Sequence, residues 1–137
     1  VKPFDADLYN ADDPAKEYVI EWLESKGYQA EVNPDQYGID LLTSRNGKKS
    51  GVEVEVKHNW EGYKFPYRTV HISGRKLKFF QDDNNYLLML NSDWSAALSF
   101  AAEEIRNAIT ITKDTIYTKA EKFIELPAKI AKRYKLR

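Results

Sequence analysis

Apolar residues recur at three- and four-residue intervals across "DDPAKEYVIEWLESKG", residues 12 to 27, at Ala15, Tyr18, Val19, Trp22 and Leu23. That spacing predicts an amphipathic helix with one buried stripe. Asp12 or Asp13 can cap its start, Pro14 suits its first turn, and Gly27 can close it. Glu17, Glu21 and Glu24 lie beside or away from the stripe. The period then shortens to two. "YQAEV" (28–32) reads as a short strand and "NPDQYG" (33–38) as a turn. "IDLLTS" (39–44) and "GVEVEVKH" (51–58) flank "RNGKKS", and Asn-Gly between two strand-like runs is a strong hairpin signal. Further on, Ser73 can cap a short helix, "GRKLKFFQ", and "NYLLMLN" (85–91) has the length of a buried strand. "ALSFAA", "ITIT" and "KFIEL" are strand candidates, and Pro127 is expected to begin a last, basic helix. Residues 1 to 11 have no period and read as an arm. The order predicts a single α/β domain over residues 1 to 137, with a mixed sheet and helices on both faces.

Composition narrows the class. Hydrophobic residues make up 42% and charged residues 31%, as in ordinary globular domains. The 137 residues include no cysteine, which excludes disulfides and thiolate metal sites and fits a reducing, cytoplasmic setting. No apolar run approaches membrane-spanning length. The 21 basic and 21 acidic residues cancel, which argues against indiscriminate coating of nucleic acid. The charge is uneven, however. Asp5, Asp7, Asp12 and Asp13 crowd the start, while "KIAKRYKLR" at the end carries only basic charges.

The hairpin makes a sharper statement. With Asn46-Gly47 as its two central residues, paired positions sum to 93. Asp40 then faces Glu53, Ile39 faces Val54, and Leu41 faces Val52. Because side chains alternate, Asp40, Glu53, Glu55 and Lys57 are expected on one face, with Ile39, Leu41, Val52, Val54 and Val56 on the other. Three carboxylates so close repel one another unless a cation lies among them. The plainer alternative is a wet sheet face with Lys57 as partial counter-ion. Gly38, just before the acid, leaves room for other backbone to approach, and the helix bearing Glu17 and Glu21 lies immediately upstream.

Helix with glutamate, "KGY", strand, turn, "GID", hairpin and "VEVK", in that order, resembles the PD-(D/E)XK nuclease superfamily. The likeness is strongest to its small single-domain members, the archaeal-type Holliday junction resolvases and phage-encoded endonucleases, and it spans about residues 14 to 91. It implies a restriction-endonuclease-like core. By position, Asp40 matches the first acid of the motif, Glu55 the second and Lys57 the lysine, and Glu17 stands where some members add a helix glutamate. Ile39 replaces the proline of the motif's name. Glu53 is an extra acid, which leaves open which glutamate binds metal. The resemblance also implies that the Val56 carbonyl completes the shell of a magnesium or manganese ion. Hard oxygen donors suit such ions. DNA is the implied substrate, and a homodimer would supply two sites for two strands. A non-catalytic nucleic-acid-binding or assembly module of the same fold is the rival reading.

Other residues are less specific. His58 and His71 are too isolated for a zinc site. Trp60, Tyr63, Phe65 and Tyr67 are expected in the core or an interface, with base stacking as the alternative. Ser73, Arg75 and Lys76 at a helix start could hold a phosphate, or be no more than a cap and two solvated charges. Lys129, Lys132 and Arg133 in the tail are candidates for contact with the DNA backbone.

Overall fold

The computed structural model describes residues 12–117 and 119–137, with the side chains of Asp12 and Asp13 excepted. The expected arm and the capping by Asp12 or Asp13 therefore lie outside the described residues. Helix α1 runs from Asp12 to Ser25. Its stripe behaves as the spacing requires: Ala15, Val19 and Leu23 are fully buried, while Tyr18 and Trp22 are half-buried beside them.

The strands that α1 covers form a six-stranded mixed sheet. They are β1 (Gln29–Val32), β2 (Leu41–Arg45), β3 (Lys48–Val56), β5 (Tyr86–Leu90), β6 (Ala96–Ala101) and β9 (Lys132–Lys135). Their spatial order is β1-β2-β3-β5-β6-β9. Only the β3–β5 pair is parallel, and both strands are central and largely buried. Alternation along β3 and β5 then divides the core in two. Leu41, Val52, Val54, Leu88 and Leu90 pack against α1. Leu87, Met89, Leu98 and Phe100 face the opposite way.

That second face carries a three-stranded antiparallel sheet, in the order β4-β8-β7, in addition to the expected helical cover. Its strands are β4 (Thr69–Ser73), β7 (Ile109–Lys113) and β8 (Glu121–Pro127). A 3-10 helix, Gly74–Phe80, and the five-residue helix α2, Ala102–Arg106, supply the helical cover. Phe80, Ile105, Ile124 and Leu126 fill this layer with Trp60 and Phe65, so those two aromatics are core residues. Tyr63 and Tyr67 stay exposed.

Two expectations fail for identifiable reasons. The basic helix after Pro127 is a single 3-10 turn, Ala128–Ile130, followed by strand β9. Strand β6 has a free edge, and β9 pairs with it from Ser99↔Lys132 to Ala96↔Lys135. Lysines and an arginine on an exposed edge strand discourage further pairing. Ile39 also leaves the side predicted for it. The hairpin ladder ends at Leu41↔Val52, and the chain bends at Asp40. Ile39 consequently lies over Gly51, where a β-carbon would come within 2.9 Å of its Cγ2.

Gly51 is therefore a packing requirement. Its N–H donates to Asn85 Oδ1 at 2.8 Å, and the Asn85 amide is in turn tied to the Phe79 carbonyl at 2.8 Å. An added β-carbon would sit 2.7 Å from that same Oδ1. Gly51→Ala should cost about 1–3 kcal/mol of stability, the usual range for overpacking. Urea unfolding measures this, and an unchanged midpoint would mean that Ile39 and Asn85 yield freely.

Candidate active site

The hairpin places the acids. Asn46 and Gly47 have φ of 54° and 80°, the left-handed pair that a two-residue type I′ turn demands. The register that follows is the one read from sequence, Leu41↔Val52 through Arg45↔Lys48. Beyond Leu41 the ladder gives way to side chains. Asp40 Oδ2 accepts the Val54 N–H at 2.9 Å, and Glu53 Oε1 accepts the Asp40 N–H at 3.1 Å. These two bonds hold Asp40 against β3. The turn before it is braced by Asn33, whose amide donates to the Ile39 carbonyl at 2.9 Å. At Gly38 a β-carbon would lie 2.5 Å from Asn33 Nδ2. A side-chain amide thus approaches Gly38 most closely, and the backbone carbonyl of Asp35, 3.4 Å from the same β-carbon position, approaches it as well.

Two lysines reach the acids from different elements. Lys16 of α1 sets its Nζ 3.1 Å from Asp40 Oδ1. Lys76 of the 3-10 helix sets its Nζ 3.2 Å from Glu53 Oε2 and 3.8 Å from Glu55 Oε1. Glu53 is only 5% exposed. Its burial, offset in part by Lys76 and reinforced by the Asp40 charge, pushes its carboxyl up to about 7. Burial also works against the Lys76 ammonium, but the Glu55 and Glu53 carboxylates outweigh it and raise its pKa. The two glutamates differ in what remains free. Glu53 has both oxygens engaged, whereas buried Glu55 Oε2 has no hydrogen-bond partner.

The other predicted residues are placed as follows. Lys57 follows β3, its N–H bonded to the Leu90 carbonyl at 2.8 Å. Its Nζ lies 5.8 Å from the centre of the Tyr67 ring rather than on a carboxylate. Val56 ends β3 between Glu55 and Lys57, half-buried against the α1 side. Glu17 is exposed, and it is its neighbour Lys16 that reaches Asp40. Ser73, Arg75 and Lys76 are not gathered around one point. Ser73 Oγ caps the 3-10 helix through the Arg75 N–H and also meets Glu121, as does the Arg75 guanidinium, while Lys76 turns to the acids. His71 lies in the second sheet against Glu125 and Lys113, and His58 is exposed. Sequence reading missed Lys16 and assigned Lys76 elsewhere. The available signal was the charge imbalance itself, since three facing carboxylates require more than the single cation Lys57.

The donor chemistry suits a hard divalent ion. Asp40 and Glu55 offer carboxylate oxygens, Glu55 Oε2 is unpartnered, and magnesium characteristically uses one or two carboxylates and keeps its waters. Among the described residues no three acidic or histidine side chains converge into a complete protein cage.

The sequence matches no protein-family profile, and no curated protein is significantly similar to it. Its fold does have solved counterparts. One is Hjc of Archaeoglobus fulgidus, a Holliday junction resolvase, at a TM-score of 0.54 and 10% identity, with 85% of each chain covered. Another is a nuclease from a fusselovirus, at 0.51 and 11% identity, covering 96% of this chain and 89% of the other. At these identities the likeness is one of fold. It bears out, at that level, the expected restriction-endonuclease-like α/β domain with a mixed sheet.

The elevated Glu53 carboxyl has a sign that can be tested. Its ordinary value is 4.5 and its folded value about 7, so between these the folded chain holds a proton that the unfolded chain has released. Stability from this group is complete below 4.5 and is lost as pH rises towards 7, by on the order of 3 kcal/mol. In EDTA, Glu53→Gln should therefore gain stability relative to the parent as pH rises from 5 to 7.5. A difference between the two that does not change with pH would contradict the raised value.

Proposed function

We propose that this chain is a metal-dependent endonuclease that hydrolyses phosphodiester bonds in DNA, with branched or otherwise structured DNA as its substrate class. The observation that carries the reading is Glu55 Oε2, buried near the end of β3 without a hydrogen-bond partner, on a fold shared with two nucleases and with Asp40 fastened to the same strand. Asp40, Glu55 and the Val56 carbonyl are the groups that would hold magnesium or manganese. When bound, such an ion acidifies a water and neutralises charge on the phosphate.

The chain's own residues do the rest. The Val54 N–H fixes Asp40 in one orientation, and Glu53 holds the Asp40 backbone, so that carboxylate does not have to be ordered at each turnover. Lys57 is the group that donates hydrogen bonds to the attacking water and opposes the charge on the phosphate. Its side chain must swing from Tyr67 to do so. Lys76 keeps the glutamates from repelling one another. Arg75, exposed on the same 3-10 helix, is a candidate contact to the phosphate backbone. A homodimer would cut two strands with two sites, as the resolvase likeness suggests. Ion pairs from Lys16 and Lys76 that already neutralise the acids favour the second reading, a nucleic-acid-binding module that does not cut.

Cleavage assays with nicked, branched, single-stranded and linear duplex DNA in Mg²⁺, Mn²⁺ or EDTA separate the two. Asp40→Asn, Glu55→Gln and Lys57→Ala should each reduce cleavage by at least about a hundredfold with the circular dichroism spectrum unchanged. Glu53→Gln should retain measurable turnover, because both Glu53 oxygens are committed to bracing. Turnover that survives the triple change at Asp40, Glu55 and Lys57 would show the site to be misplaced. Equal loss from Glu53→Gln and Glu55→Gln would make Glu53 a metal ligand.

A further inference from the structure

A groove of about 1050 Å³ opens on the α1 side of the sheet, where the C-terminal end of α1 leaves strand surface uncovered. Ser50, Tyr86, Leu88 and Ser99 line it along the sheet. Lys48 and Ser50 belong to the start of β3, whereas Glu53 and Glu55 lie towards its end and on its other face. Five residues of strand, about 17 Å, separate Ser50 from Glu55. The groove is therefore not part of the acidic site.

Its chemistry is distinctive for a chain of zero net charge. Lys26, Arg45, Lys48, Lys132 and Lys135 line it, against only Asp83 and Glu104, a local excess of three positive charges. Four aromatic residues, Trp22, Tyr28, Tyr86 and Tyr134, are interleaved with these cations. Arg45 lies over the Tyr28 ring at 4.2 Å, and Trp22 meets Tyr134 edge-on at 5.4 Å. Tyr134 remains 37% exposed. Cations that follow a phosphate chain, with aromatic faces between them, are the pattern that grips unpaired nucleotides. The volume lies at the top of the range for single small ligands.

We propose that this groove binds a single-stranded segment of nucleic acid that is not itself cut, with its phosphates on Lys48 and Lys132 and a base on Tyr134. The choice of ligand rests on the nucleic-acid reading above, whereas the site is separate from the acids. It would let a neutral protein with an acidic cleavage site hold an unpaired strand of a structured DNA.

The test is anisotropy of a short labelled oligothymidylate in EDTA across a salt series. Lys48→Gln/Lys132→Gln alters two exposed side chains, and thermal melting checks its fold. It should bind roughly tenfold more weakly, with a salt slope lower by about 1.4, since each phosphate contact to a single strand contributes about 0.7. Tyr134→Ala should weaken binding about fivefold or more. Asp40→Asn/Glu55→Gln should bind no more weakly than the parent. Unchanged affinity in the lysine variant would overturn the proposal. So would a duplex of the same length that binds equally well and loses as much. A change of oligomeric state without loss of oligothymidylate affinity would assign the groove to a second copy of this chain instead. A chain that binds through these lysines yet cuts nothing would remove the nuclease reading alone. One that cuts but ignores the lysines would remove the groove alone.

Discussion

One pairing register, that of the β2–β3 hairpin, underlies both the core and the acidic cluster. Asn46 and Gly47 accept left-handed backbone and so commit the chain to a two-residue turn, from which every later pair follows. With that register, Leu41, Val52 and Val54 reach α1, and Glu53 and Glu55 turn to the opposite face. A slip of one residue would reverse both, placing carboxylates under the helix and valines beside Lys76. The apolar side therefore enforces the polar side. Hydrophobic burial against Ala15, Val19 and Leu23 positions acids that could not cluster unaided.

Gathering carboxylates in a partly dry place is costly, and the structure shows how that cost is met. Removing one member of a buried charged set leaves the rest uncompensated, so the partners matter as much as the acids. Lys76 and the Asp40 N–H satisfy Glu53, while the Val54 N–H and Lys16 satisfy Asp40. Glu55 alone keeps an unpartnered oxygen. Two glutamates that look alike in "GVEVEVKH" thus differ in their surroundings, one with both oxygens engaged and one with an oxygen to spare.

Charge is also segregated at the level of the whole domain. The acids occupy the end of β3 on one face of the sheet, while five cations line a groove at its start on the other. A net charge of zero conceals both. The tail contributes to this division through its pairing as an edge strand. As β9 it brings Lys132 into the groove, a position that a free basic helix would not have supplied.

Much of this was legible in the sequence where the determinants are local. The turn chemistry of Asn46-Gly47, the helical stripe of α1 and the apolar run of β5 each specify their element within a few residues. Given the turn, the faces of β3 follow from the two-residue period alone. The common face of Glu53 and Glu55 is accordingly set by local sequence, while Asp40, one residue beyond the ladder, is held by side-chain bonds to β3. What covers the second face was not legible, because β4, β7 and β8 become a sheet only through pairings such as Ile72↔Ile124, distant in the chain. The last segment follows the same rule: a basic stretch with helical composition became strand β9 because β6 offered an unpaired edge. Ile39 departed from its predicted side because the carboxylate of Asp40 replaced the backbone ladder there. Tertiary structure also chose the partners of the acids. Lys16 and Lys76 lie far from Asp40 and Glu53 in sequence, and only the packing of α1 and the 3-10 helix around the end of β3 brings each ammonium within reach. Electrostatic attraction acts over ångströms of space, which the order of residues does not encode.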